Sequence, residues 1–318
     1  MNEFDEITSR VEKVATARLG RPRTLEPLKG DASARCYFRI RGNEGFSRIA
    51  ACYPLSLTKQ VSIFQKTYNS LRSHIPLPEV IHVENGVVIQ QDVGDISLAR
   101  LMEESPLEAV SFFERSVELI GVVQRLGADA SPNPPFSRHK FESELEMRVD
   151  FWVTKMSDVI DPGQLREIRV ILRSIAKNIT HHRYVLCHRD FHSENILIQN
   201  NSIFIIDYQD ARMGPDYYDL ASLLRDRGMV EKLGRDTESR LIDRFRESTA
   251  SGPLEHYWEV LLQRALKTIG TFASQATRRG RRDYIAYIPP TLESVRDCVA
   301  NLPQYRDLLS VFPMTLRT

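Results

Sequence analysis

Lysine and arginine number 43 among 318 residues against 42 for aspartate and glutamate, so bulk charge offers no grip on a nucleic acid or a membrane surface. With 42% hydrophobic residues the chain can fill one large core or two smaller ones, and no run approaches the roughly 20 apolar residues of a membrane span. Cys36, Cys52, Cys187 and Cys298 stand without CxxC pairs, which argues against a zinc ribbon and a disulfide framework and for a reducing compartment. A cytoplasmic monomer is the expectation.

The opening segment is charged and amphipathic, unlike a leader, and Phe4, Ile7, Val11 and Val14 recur at helical spacing. From Leu25 to about Gln90 the pattern changes to the short strands CYFRI, FSRIAACY and VVIQQ. They are interrupted by a predicted helix over residues 58–73 in which Val61, Phe64, Tyr68 and Leu71 share a face. Pro76 and Pro78 end that helix region and impose extended backbone before the next strand. After Asp92 the chain turns helical. Ser105, Pro106 and Glu108 predict a capping box with proline at the first helical position, and Val110, Phe113, Val117 and Ile120 the inward stripe. Trp152 and Trp258 lie in apolar helical contexts and read as core. Two short apolar strands, at residues 184–187 and 202–206, flank a polar segment, and helices dominate again from Asp219. The succession predicts an α+β chain of two lobes with a cleft between them. Residues 1–91 form a small mixed-sheet lobe and residues 92–318 a larger, mainly helical one.

The polar segment CHRDFHSEN, residues 187–195, fits the pattern H-R-D, four residues, Asn, and the following strand runs into Asp207 in IFIIDYQD. Transfer of a γ-phosphoryl group needs a carboxylate to orient the acceptor hydroxyl and take its proton, and hard oxygen ligands to hold magnesium against the phosphates. Asp190 fits the first role; Asn195 and Asp207 fit the second. The alternative is that all three are capping and turn residues of a polar loop. His188 could be a base by type, but in this pattern it braces the loop.

CHRDFHSENILI followed by IFIIDYQDARMGPDYYDLASLLRD resembles the aminoglycoside phosphotransferase and choline kinase superfamily, kinase-like folds that use ATP and Mg2+ on small molecules. The resemblance implies a bracing role for Asp219, for which a helix cap is the alternative. Within that superfamily GDASARCYFRI, DYQDA and LKTIGTFASQATRRGRRDYIAYIP are similar to bacterial anomeric N-acetylmuramate and N-acetylglucosamine kinases of cell-wall recycling. That family phosphorylates the hydroxyl at carbon 1 of an amino sugar, and the similarity implies the same reaction.

A protein kinase places a Lys on its third strand and pairs it with a Glu on the next helix. Here the strand offers Ala50 and Ala51, and the helix over residues 58–73 contains no Glu. Arg35 and Arg39 are the candidates to approach the phosphates instead, the alternative being solvated arginines on an alternating strand. In the nucleotide loop Gly30, Ala32 and Ser33 can offer backbone N–H groups and a hydroxyl to phosphate. Gln90, Gln91 and Asp92, where strand gives way to helix, are expected by position and family analogy to meet adenine. The short interval from Asp207 to Asp219 leaves no room for an activation loop, so the acceptor should be small. Gln209, Asp210 and Arg212 are candidates to read its hydroxyls, a surface turn being the alternative. Arg278, Arg279, Arg281 and Arg282 flank Gly280 and read as a solvated helix end and turn, or as an anion fork. Two other functions compete with a sugar 1-kinase: a kinase of aminoglycosides, choline or another small alcohol, and a regulatory pseudokinase that binds nucleotide without turnover.

Overall fold

The computed structural model describes residues 3–20, 24–28, 35–43, 45–156 and 161–316. The chain divides into two compact units, Met1–Ser97 with Ile196–Gln209, and Leu98–Asn195 with Asp210–Thr318.

In the first unit helix α1 (Glu3–Leu19) buries Val11, Val14 and Ala15 against the sheet. Its stripe begins later than the spacing suggests, because Phe4 is 48% exposed and only tilts its ring toward Phe38, 5.9 Å away. Strands β1 (Thr24–Leu28), β2 (Cys36–Arg41), β3 (Ser47–Cys52), β4 (Val80–Glu84) and β5 (Val87–Gln91) form one sheet in the order β1-β2-β3-β5-β4, with every pairing antiparallel. Register places Phe38, Ala50 and Ile89 side by side, so the inward face alternates as a half-buried sheet must. Helix α2 (Thr58–Leu71) follows β3, and Val61, Phe64, Tyr68 and Leu71 are all buried. The unit is completed by a returning hairpin of strands Ile196–Gln199 and Ser202–Ile205. Its two turn residues, Asn200 and Asn201, both take positive φ (50° and 61°), as a two-residue primed turn requires.

The expected boundary after residue 91 differs from this division in two places. Residues 92–97 and the hairpin both belong to the first unit, tied by the Ser97–Leu197 bridge, Ile198 N–H to Ile96 O (2.8 Å) and Ile205 N–H to Pro76 O (2.9 Å). Backbone pairing across a hundred residues leaves no periodicity for a sequence to display.

The second unit opens with α3 (Leu98–Glu104) and α4 (Pro106–Gln124). Proline stands at the start of α4 as expected, but the Ser105 side chain makes no capping bond. The capping box occurs instead at α6 (Pro162–Ile179), where Asp161 accepts from Gly163 and Gln164 N–H and the Gln164 side chain reaches back. Phe113, Val117 and Ile120 are buried, and Ala109 and Phe112 widen their stripe. Between α4 and α6 lies α5 (Arg138–Lys155), capped by Ser137.

A ribbon of strands Tyr184–Cys187 and Arg212–Pro215 follows α6, so the strand at 184–187 pairs with 212–215, while 202–205 pairs with 196–199. Then come α7 (Tyr218–Arg225), α8 (Met229–Leu233), α9 (Arg235–Ser248), α10 (Leu254–Arg278), α11 (Ile288–Asn301) and α12 (Leu308–Val311). The 25-residue α10 packs against both α5 and α11. At its crossing with α5 a Cβ on Gly270 would lie 2.0 Å from the Arg148 carbonyl oxygen. Trp152 is fully buried and donates Nε1–H to Pro313 O (3.1 Å). Trp258 is only half-buried, beneath the Arg225 guanidinium (5.6 Å). Helix α10 ends at Arg278, and Gly280 (φ +67°) makes the turn the sequence suggested. Among the described residues no helix is long and apolar enough to cross a membrane.

Candidate active site

The second unit carries the H-R-D turn just beyond its ribbon. Arg189 has φ +82°, a conformation that residues with a Cβ rarely adopt. Asp219, in the first turn of α7, holds it there: Oδ2 accepts His188 N–H (2.6 Å) and Oδ1 accepts Arg189 N–H (2.9 Å). Burial pushes the Asp219 carboxyl up, and His188 with the two N–H donors only partly offsets that. The His188 ring is buried edge-on to Phe191 (5.5 Å, 81°).

Asp190 comes next, half-buried. Burial alone would raise its carboxyl, but Arg189, Lys267, His192 and Arg264 outweigh burial and hold it below its ordinary value. It is therefore a carboxylate at neutral pH, the form that accepts a proton. Asn195 closes a short 3-10 turn and donates Nδ2–H to Asp190 O (2.9 Å). Below the turn, Glu144 of α5 gathers Lys140 (3.1 Å), Arg189 (3.1 Å) and Lys267 of α10 (3.6 Å). Arg264 of α10, 5% exposed, donates to Arg189 O (3.3 Å) and Ser222 Oγ (2.7 Å) and pairs with Asp226 (2.5 Å). The turn carrying Asp190 is thus fixed from α5, α7 and α10 together.

In the first unit Asp207 follows the returning hairpin, with φ +62°. Arg35 donates to its Oδ1 at 2.9 Å. The Arg35 guanidinium lies 5.6 Å from the ring centres of both Tyr37 and Tyr53. Burial works against its charge, but Asp207, Tyr37 and Tyr53 outweigh it, so Arg35 stays cationic. Tyr208 is buried and stacks on Phe64 (5.2 Å), anchoring the residue after Asp207.

Arg39 faces a different task. Its guanidinium grips Asp92 (2.7 Å) and Asp95 (2.7 Å), and Ser47 Oγ and Gly94 N–H also donate to Asp92. Burial would raise the Asp92 carboxyl, but Arg39, Ser47 and Gly94 hold it below the ordinary value. The stability it contributes is therefore fully present above an ordinary carboxylate value of about 3.9 and lost as pH falls through the lower folded value. Asp92→Asn should flatten the loss of stability of the wild-type chain on acidification below about pH 4, read by circular dichroism; an unchanged acid transition would show that Asp92 is not held this way.

Other candidates fall less simply. Gln91 donates its N–H to Glu79 O (2.8 Å), and its side chain accepts Glu79 N–H (3.3 Å), so that backbone donor is spent on the residue leading into β4 and is not offered to adenine. Gln90 sits in β5 opposite Ile49 and Val80. Gly30, Ala32 and Ser33 lie outside the described residues. Gln209 ends the first unit and is half-buried. Asp210 lies between Arg189 (3.8 Å) and Arg212 (3.9 Å) in the second. Arg212 is buried in the ribbon and donates to Asp210 O (3.2 Å); burial and Arg189 weaken its hold on a proton. Glu144, Arg264, Lys267, Asp95, Tyr37 and Tyr53 were not singled out from sequence. Arg264 and Lys267 left one signal, cations inside the apolar run VLLQRALKTIG.

The H-R-D turn clamped by a buried aspartate in one unit, and the arginine–aspartate pair of the strand-rich other, define a phosphotransferase of kinase-like fold. The structure is similar to a choline/ethanolamine kinase family protein from Mesorhizobium loti, with TM-score 0.63 and 15% identity over 97% of this chain and 100% of that one. It is also similar to the ADP-bound aminoglycoside phosphotransferase APH(2'')-Ib, with TM-score 0.62 and 16% identity over 92% of this chain and 98% of that one. Residues 24–256 match the phosphotransferase enzyme family (APH), and the chain belongs to that family. The N-acetylmuramate/N-acetylglucosamine kinase of Pseudomonas putida is 24% identical over 296 residues, covering 90% of this chain and 86% of its own length. The chain is accordingly a small-molecule kinase of that family.

Proposed function

We propose that this kinase transfers the γ-phosphoryl group of ATP to the anomeric hydroxyl of N-acetylmuramate or N-acetylglucosamine in cell-wall sugar recycling, giving a sugar 1-phosphate. The observation that carries the chemistry is Asp190, held as a carboxylate by surrounding cations in a turn fixed by Asp219. The name of the Pseudomonas putida relative, matched over nine-tenths of this chain, supports the acceptor.

Asp190 orients the acceptor hydroxyl and takes its proton as the O–P bond forms. Asn195 and Asp207 offer an amide and a carboxylate oxygen, the hard donors that Mg2+ prefers, so the residues present fit that ion. When bound, Mg2+ neutralises charge on the phosphates. Arg35, cationic and fixed between two tyrosine rings, is the better substitute for the absent strand lysine, since Arg39 is committed to Asp92 and Asp95. Gln209, Asp210 and Arg212 remain the proposed acceptor contacts.

The test is ATP turnover with Mg2+ against N-acetylmuramate, N-acetylglucosamine, choline, kanamycin and no acceptor. Turnover that requires an amino sugar, with a product resistant to a reducing-end assay, is the expected result. Turnover with choline or kanamycin alone would keep the class and discard the acceptor. Nucleotide binding without turnover on any of them would favour a regulatory module.

A further inference from the structure

Away from the H-R-D turn, the second unit holds three donors whose inward atoms no hydrogen bond accounts for. His182 lies between α6 and the ribbon, Asp216 directly follows the ribbon's second strand, and His256 is in the first turn of α10. One donor atom from each lies within 4.8 Å of the other two. His182 and Asp216 are 6% and 0% exposed, and the imidazoles of His182 and His256 lie face to face, 3.7 Å between centres and 6° apart. Among the described residues His182 Nδ1, His256 Nδ1 and Asp216 Oδ1 are buried without a hydrogen-bond partner. Buried polar atoms without a partner on three neighbouring residues are not what a settled core contains.

The outward atoms of the group are fixed. His182 Nε2 lies 2.7 Å from the Glu259 carboxylate, which takes its N–H and so leaves Nδ1 as the ring's lone pair. Asp216 Oδ2 accepts Gly252 N–H at 2.7 Å, which leaves Oδ1 for the interior. A Cβ on residue 252 would stand 2.4 Å from His256 Nδ1, so the backbone closes around the group only as glycine.

We propose that His182, Asp216 and His256 bind a divalent transition-metal ion of the zinc class, with Glu259 orienting His182 from behind. Two imidazoles and a carboxylate are a donor set that Zn2+ takes with a fourth position left for water. Mg2+ and Ca2+ favour oxygen donors alone, which separates this group from Asn195 and Asp207. Binding requires the two imidazoles to turn out of their face-to-face stack so that their lone pairs meet at one point. The ion ties the start of α10 to the end of the ribbon where Asp216 N–H meets Arg183 O (3.1 Å), and the same ribbon's first strand runs on into His188, Arg189 and Asp190. Its role is to brace that scaffold, independently of which acceptor is phosphorylated.

The full chain, stripped with a chelator and kept in excess Mg2+, is titrated with Co2+ and then Zn2+. One equivalent of Co2+ should bind with the visible absorption of four- or five-coordinate cobalt, be displaced by Zn2+, and raise the melting temperature. His256→Gln, at a half-buried position and checked for folding by circular dichroism, should abolish the band. Glu259→Gln should weaken binding by about 10–100-fold, as loss of a group orienting a metal ligand does. Asp207→Asn and Cys36→Ser should leave the band unchanged. Absence of any bound Co2+ or Zn2+ at micromolar protein would overturn the proposal. So would a band that survives in folded His256→Gln.

Discussion

Asp190→Asn is expected to lower turnover by about 10²–10⁴-fold, the contribution of a positioned base, while the melting temperature stays near that of the wild-type chain. Asparagine keeps the volume of the side chain and can still receive a hydrogen bond, but it cannot take the acceptor's proton. The backbone of the turn should be undisturbed, since its N–H groups at His188 and Arg189 are satisfied by Asp219 rather than by Asp190. The loss should fall on kcat more than on the acceptor's KM, because proton transfer belongs to the reaction step. Retention of more than about a tenth of the activity would remove Asp190 from the role of base and reopen the assignment of the whole turn.

Gly270→Ala should destabilise the second unit by about 3 kcal/mol, at the upper end of what overpacking costs. The obstacle is the carbonyl oxygen of Arg148, 2.0 Å from where the new Cβ would stand, and backbone in the middle of α5 cannot turn aside as a side-chain tip could. Relief requires α5 and α10 to move apart. The same two helices carry Glu144 and Lys267, 3.6 Å apart, so the substitution should also weaken the field around Asp190. A lower urea midpoint at unchanged m, together with reduced turnover in the fraction that remains folded, is the expected pair of results. An unaltered midpoint would mean that the crossing is looser than its geometry.

The features legible in the sequence are those in which chemistry and spacing coincide within a few residues. Asp190 and Asn195 stand at a fixed interval on one turn, and the glycine after Arg279 marks the end of α10. The α2 face of Val61, Phe64, Tyr68 and Leu71 is also local, and all four are buried. What escaped was pairing at a distance. Arg35 and Arg39 are close in sequence and alike in type, yet one meets Asp207 and the other Asp92 with Asp95. Nothing in their own neighbourhood distinguishes them. The capping box was expected at Ser105 because its residue pattern is there, whereas Asp161 offers the stronger acceptor and realises the motif. In the stretch of Gln90, Gln91 and Asp92 expected to meet adenine, the Gln91 N–H bonds Glu79 O, a pairing that no local pattern announces.

The returning hairpin has a consequence for how the chain acquires its structure. During synthesis the N-terminal sheet emerges first, but Pro76 O and Ile96 O must wait for Ile205 and Ile198 until the intervening residues 98–195 have been made. These contacts are of very long sequence separation, the kind that slows folding and leaves strand edges uncovered in the meantime. A fragment ending at residue 97 therefore lacks part of its own wall, however well its five strands are paired. Transposing residues 196–209 to directly after residue 97 would shorten the separation and should speed formation of the first unit.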